Sequence, residues 1–314
     1  MAFSTDRMVS IVAVVIAVAS LCCCVYLAQS NDSGDDDQMT EYERIVHCAE
    51  QIREYTEMEP SVAIVLGSGL GTVVDYVDVE TVVPYSAIDG FPVSTVEGHK
   101  GNFVFGKISG TDVVIMQGRV HYYEGYSTTD VVLPIRVMHE LGADTLIITN
   151  AAGSLRYDFE PGMFMLITDQ ICMVDSPLIG PNVDELGDRF IGMKDAYNPN
   201  LTKAIKDTAA DLDIEMMEGV YVQYSGPQYE SAAETKMFRS WGADAVGMST
   251  AVEAIAAFHM GMNIAGISCL TDYATGMTDV SPSHEEVQRM TEKMSGELVL
   301  IIKELLSRYN MSEF

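Results

Sequence analysis

Beyond residue 40, short apolar runs alternate regularly with longer stretches of helical periodicity, and few folds accommodate that pattern. Runs suited to strands fall at 62–66, 103–108, 113–116, 145–149, 163–168, 220–224, 243–248 and 264–271. Helical spacing appears where Tyr42, Ile45, Ala49 and Ile52 recur ahead of Pro60, and again at 130–141, 231–241, 250–260 and 283–308. Strands alternating with helices point to one α/β domain in which a largely buried sheet is covered by helices. A hydrophobic content of 48% supplies the core. Ser283 is placed to cap the last helix, with Glu285 and Glu286 at its positive end. Neither an internal repeat nor a second linker interrupts the pattern.

Charge and the N-terminus bound the setting. The 46 acidic residues against 18 basic ones give a net charge of −28, which argues against nucleic-acid binding. It also makes any local basic pocket noteworthy, because the global field opposes an anionic ligand. Met8 to Leu27 is almost wholly apolar and uncharged, and about twenty such residues span a bilayer. Residues 1–30 therefore read as an uncleaved signal anchor, the alternative being a signal peptide cleaved near Ala28-Gln29-Ser30. Either way the body is expected outside the cytosol, membrane-anchored or secreted, and the membrane is engaged only through this segment. An acidic linker at 31–38 leads to the domain at 39–314, where sequons lie at Asn200 and Asn310; a third is at Asn31. Beyond the leader only Cys48, Cys172 and Cys269 remain, which is neither a disulfide framework nor a zinc spacing.

The chemistry sits where strands end, the place where open α/β sheets bind ligands. Gln117-Gly118-Arg119-Val120-His121-Tyr122-Tyr123-Glu124 packs a guanidinium, an imidazole, phenols and a carboxylate just past one strand. Arg119 offers a planar fork to phosphate or carboxylate oxygens, with His121 beside it; a solvated loop with a structural Arg is the alternative. Gly67-Ser68-Gly69-Leu70-Gly71 lacks the dinucleotide spacing and the P-loop lysine. It suits a small phosphate, or is simply a tight turn. His99, between glycines, reaches the same anion or is a turn residue. Ala151, Ala152 and Gly153 leave room for a flat ligand or make a tight turn at a strand's end. Tyr229 and Glu230 form an aromatic–carboxylate pair suited to stacking on a base and accepting from its edge. Ser249 opens a helix, Thr271-Asp272-Tyr273 ends the last strand, and His284 begins the final helix.

In order, GSGLG, GHKGNFVFG, MQGRVHYYEGY, TNAAGSL, GPNVDELGDRF, GPQYESAAE, GADAVGMST and SHEEV make the body resemble the trimeric-type purine nucleoside phosphorylases from about Glu43 to Tyr309. The resemblance implies an α/β fold, a single three-layer domain with a central mixed β-sheet flanked by helices. It implies reversible phosphorolysis of purine (deoxy)ribonucleosides to free base and (deoxy)ribose 1-phosphate. No cofactor is expected, inorganic phosphate being a co-substrate, and the chain is expected to form a homotrimer. Phosphate would be held by Ser68, His99, Arg119, His121, the backbone at Ala151, and Ser249. Ribose would lie against Tyr123 and Met248, with His284 on its 5′-hydroxyl and Phe190 supplied by a neighbouring subunit. The purine would rest on Tyr229 beside Glu230. Of these, His121, Glu230, Asp272 and His284 would be catalytic.

Asp272 departs from the family's usual Asn. An ionised Asp only accepts hydrogen bonds, so it repels O6 and welcomes a 6-amino group; protonated, it donates to N7. The related methylthioadenosine phosphorylases carry Asp in this position, whereas Glu230 and His284 follow the nucleoside phosphorylase pattern. The expectation is altered base selectivity, towards adenosine. An adenosine or methylthioadenosine phosphorylase is the nearest alternative, and a catalytically inactive nucleoside-binding or storage homologue is another. A short loop at 172–181 is a second departure, one that bears on the subunit contact.

Overall fold

A strand buried on both faces reads as an unbroken apolar run, because each side of the pleat meets a hydrophobic layer. The computed structural model describes residues 39–96 and 98–314. The expected leader and acidic linker lie outside the described residues; among those described, no helix is long and apolar enough to cross a membrane. The strands are β1 (Val62–Leu66), β2 (Asp78–Pro84), β3 (Asn102–Ile108), β4 (Thr111–Gln117), β5 (Thr145–Ser154), β6 (Phe164–Cys172), β7 (Met216–Gln223), β8 (Ala245–Gly247) and β9 (Asn263–Tyr273). The α-helices are α1 (Glu41–Arg53), α2 (Thr128–Glu140), α3 (Pro199–Asp211), α4 (Ala232–Ser240), α5 (Ala251–His259) and α6 (His284–Arg308).

β1 lies parallel between β4 and β5, with Ile64 opposite both Ile115 and Ile147. Along β1, Ala63 and Val65 face one core, which α1, α2 and α5 complete through Ile45, Leu133 and Ala254. Val62, Ile64 and Leu66 face the other, which α3 and α6 complete through Leu201, Ile205, Leu298 and Ile302. Those are the three layers expected from the sequence. The strand order is β2-β3-β4-β1-β5-β8-β7-β6-β9, and β5 also pairs with β9, so the last five strands close on themselves. Parallel and antiparallel pairings coexist, as expected of a mixed sheet.

Three features depart from the sequence expectation. β5 does not end at 149: it runs on to Ser154, because Asn150–Ser154 continue the ladder with β9 and Gly153 pairs with Val246 of β8. The Thr149–Gly153 stretch is therefore strand rather than a turn. β2 carries Asp78 and Glu80 on a mostly exposed edge strand, so it has no apolar run to betray it. α3 did have a signature, Asn198 as cap and Pro199 in the first turn, with Leu201, Ala204, Ile205 and Thr208 on its buried face.

Candidate active site

Parallel β1 and β4 deliver the Ser68 and Arg119 loops to the same end of the sheet, where the tips of β7, β8 and β9 also meet. A single cleft there is lined by Ser68, Arg119, His121, Tyr123, Ala151, Tyr229, Glu230, Met248, Ser249, Asp272 and His284. Two expected residues are not among them. His99 stands one step behind Ser68, its Nε2 3.1 Å from the Ser68 Oγ. Phe190 is 90% exposed, away from its own chain's cleft.

Close backbone approach assembles the cation-bearing end. Gly118 has a φ of +100°, and a Cβ there would meet His99 Cβ at 2.8 Å and His99 Cα at 3.0 Å. The glycine thus lets the His99 loop lie against the Arg119 loop. His99 Nδ1 is 2.9 Å from the Arg119 carbonyl and 3.2 Å from the Arg119 N–H. Burial, with His121 adding to it, pulls the His99 pKa down to about 4, so the ring is neutral at pH 7. The ring's proton decides the direction: on Nδ1 it donates to the Arg119 carbonyl and Nε2 accepts the Ser68 hydroxyl, while on Nε2 it donates to Ser68 and leaves that hydroxyl free to point into the cleft. In either state His99 orients the Ser68 hydroxyl from behind and does not itself line the cleft.

Arg119 is buried, and its fork is already engaged. Nη1 donates to Glu253 Oε2 at 2.8 Å and to Ser249 Oγ at 3.1 Å, while Nη2 donates to the Thr149 carbonyl. His121 is held by Glu124, whose Oε1 lies 3.0 Å from Nδ1 and accepts the His121 N–H at 2.7 Å. Burial lowers the His121 pKa in spite of that carboxylate. Burial alone would raise the Glu124 pKa, but hydrogen bonds from His121 and Thr95 outweigh it and hold it at about 2. The His121 ring stacks on Tyr123 at 4.7 Å between centroids.

Between β8 and α5 the backbone is strained. Thr250 has φ +85° and ψ −52°, and Ala251 N–H donates to Ser249 C=O at 3.1 Å, a γ-turn with a non-glycine centre. Its geometry is over-determined: Thr250 N–H donates to Glu253 Oε2 at 2.8 Å, and Asn150 Nδ2 donates to Thr250 Oγ1 at 2.9 Å. The turn sets Ser249 just ahead of α5, whose first N–H groups are already taken within the protein: Ala251 N–H by the Ser249 carbonyl and Val252 N–H by Gln223 Oε1 at 3.0 Å.

The opposite end of the cleft is acidic. Glu230 is buried, and its Oε1 accepts the Thr275 N–H at 2.7 Å. Asp272 Oδ1 accepts the Thr271 hydroxyl at 2.6 Å. Burial, with Glu230 nearby, pushes the Asp272 pKa up to about 6. Burial and Asp272 together push the Tyr229 pKa up to about 12, so it presents a neutral ring. His284, the first residue of α6, is exposed at the rim, its Nε2 3.0 Å from Gln288 Nε2. The cleft therefore pairs a donor-rich anion end with an acceptor-rich end, joined by aromatic and Met side chains.

Sequence reasoning missed Glu253, Thr250 and Glu124 as site residues. Thr250-x-x-Glu253 has the form of a helix capping box, which hides a second partner 134 residues away at Arg119.

A model of the phosphorylase superfamily matches residues 61–307. The purine nucleoside phosphorylase 1 of Geobacillus stearothermophilus is 47% identical over 263 residues, covering 83% of this chain and 96% of that protein. The Schistosoma mansoni purine nucleoside phosphorylase solved in complex with adenosine superposes with a TM-score of 0.82 at 36% identity, covering 87% of this chain and 99% of that one. The structure in complex with inosine superposes equally well, also with a TM-score of 0.82, at 35% identity and with the same coverage.

Proposed function

The chain belongs to the phosphorylase superfamily and, within it, to the purine nucleoside phosphorylases, and on that premise we propose that its cleft cleaves purine (deoxy)ribonucleosides with inorganic phosphate. The observation that carries this is the convergence of Ser68, Arg119 and Ser249 opposite Glu230 and Asp272 in one cleft. Phosphate sits at the donor end. The sugar lies over Tyr123 and Met248 with its 5′-hydroxyl towards His284, and the purine on Tyr229 reaches Glu230 and Asp272.

The reaction follows from that arrangement. The C1′–N9 bond breaks as a phosphate oxygen forms the new bond to C1′, and positive charge develops on the ribose in between. A phosphate anion below the ring both stabilises that charge and captures it. His121, its Nδ1–H turned to Glu124, has its other nitrogen available to take the proton of a monoprotonated phosphate and so sharpen the nucleophile. The departing purine collects negative charge and is protonated at N7, a role that suits Asp272 when it carries a proton. Fixing phosphate and nucleoside in line removes much of the entropic barrier.

Base selectivity follows from Asp272. With one oxygen taken by Thr271, the ionised form offers an acceptor to a 6-amino group, which favours adenosine. The position of His284 favours a 5′-hydroxyl over a methylthio group. Competition of adenosine, inosine and methylthioadenosine in one phosphorolysis assay tests this. Efficient turnover of inosine and guanosine with none of adenosine contradicts it. A homotrimer is part of the same proposal: exposed Phe190, with Ile179 70% exposed nearby in sequence, is suited to a neighbour's cleft rather than its own.

A further inference from the structure

Buried beneath the anion end, Glu253 binds no substrate atom in this scheme, yet it controls two of the groups that do. Its side chain and that of Arg119 are each 1% exposed, and their ion pair is 2.8 Å long. The same oxygen, Oε2, accepts the Thr250 N–H at 2.8 Å and so pins the positive-φ turn that presents Ser249. The other oxygen, Oε1, is buried with no hydrogen-bond partner. A carboxylate that loads one oxygen twice and leaves the other unused is poorly arranged for stability alone. Its placement is explained by where its charge falls and which backbone group it reaches.

The charges around it complete the case. Arg119 contributes one positive charge and Glu253 removes it. Burial lowers the pKa of both His99 and His121, so at pH 7 neither adds a charge. Glu124 stays ionised beside His121, so the anion end carries no net positive charge, and its affinity is vested in directed donors: the Ser68 and Ser249 hydroxyls and the remaining Arg119 N–H groups. It also holds an acceptor, the second nitrogen of His121. Phosphate at neutral pH carries a proton that such an acceptor can receive, and sulfate carries none.

Resting on the phosphorolytic reading above, we propose that Glu253 is a positioning residue that sets anion selectivity: it cancels the Arg119 charge and fixes the Thr250 turn, so the site recognises phosphate by donor and acceptor geometry and not by net charge. A site left with an uncompensated guanidinium would bind any dianion more tightly and distinguish them less.

Glu253→Gln keeps the reach to Thr250 N–H and removes the charge; Glu253→Asp keeps the charge and shortens the reach. In Glu253→Gln the sulfate inhibition constant falls on the order of tenfold, more than the phosphate KM does, and the nucleoside KM stays within about twofold. In Glu253→Asp the phosphate KM rises, because the turn is no longer pinned. A structural role alone would move both variants the same way, so a shared direction overturns the proposal. So does sulfate inhibition of Glu253→Gln that is unchanged or weaker. If Glu253→Gln does not fold, Glu253→Asp decides alone: an unchanged or lower phosphate KM overturns the proposal. Base release by the unsubstituted enzyme without phosphate would overturn the phosphorolytic reading itself, whereas phosphate-dependent release with no change in sulfate discrimination overturns only the role of Glu253.

Discussion

In its proposed role Asp272 must be desolvated to meet a base, and desolvation penalises its charge, so a residue placed to read the purine is also a liability to the fold. Its pKa of about 6 lies above the ordinary carboxylate value, so the folded state holds the proton between roughly pH 4 and 6 while the unfolded chain has lost it. Stability is therefore highest below that window and falls as pH rises through about 6. Asp272→Asn removes the cost: its Tm should exceed that of the parent by about 2–4 °C at pH 7.5, and the two should converge near pH 4 in parallel thermal melts. The same substitution restores an amide donor, so the ratio of adenosine to inosine kcat/KM should drop by about tenfold or more. For the unsubstituted enzyme that ratio should climb with pH through about 6 as Asp272 ionises. Asp272 was legible in the sequence because it stands where the family that the chain resembles usually has Asn. Glu253 was not, because its partner Arg119 comes from a distant strand and only the closed sheet brings them together.

At the scale of elements, the anion end depends on loops pressed against helices. Gly69, with φ +77°, is the clearest case: a Cβ there would lie 1.9 Å from Thr291 Oγ1 on α6. Gly69→Ala should cost about 2–3 kcal/mol by chemical denaturation and raise the phosphate KM, since Ser68 is carried on the same turn. The glycine loop read from sequence as an anion cradle or a tight turn thus has a packing duty as well. Apolar runs announced the strands that are buried on both faces. They could not announce β2, whose polar edge residues face water, nor the extension of β5, where Asn150 and Gly153 are held by ladder partners on β8 and β9 rather than by hydrophobicity. The α3 signal, an Asn-Pro start before spaced Leu and Ile, was local and readable.

For the whole molecule, a strongly acidic chain that binds an anion has to build its affinity locally, and a donor-lined end of the cleft without net positive charge is what the proposed site offers for it. If subunits complete one another's sites, Phe190→Ala should raise the nucleoside KM by about tenfold and leave the phosphate KM and the Tm nearly unchanged, because an exposed ring contributes little to its own fold. Sedimentation should give a trimer. The central claim is that scattered loops deliver inorganic phosphate to the anomeric carbon, and following inosine and adenosine turnover by phosphorus NMR, with and without added phosphate, tests it most directly. Ribose 1-phosphate should appear in step with free base, only when phosphate is present, and Ser249→Ala should require about 10- to 100-fold more phosphate for the same rate. Free ribose formed in phosphate-free buffer, or no cleavage of either nucleoside at any phosphate concentration, would contradict it.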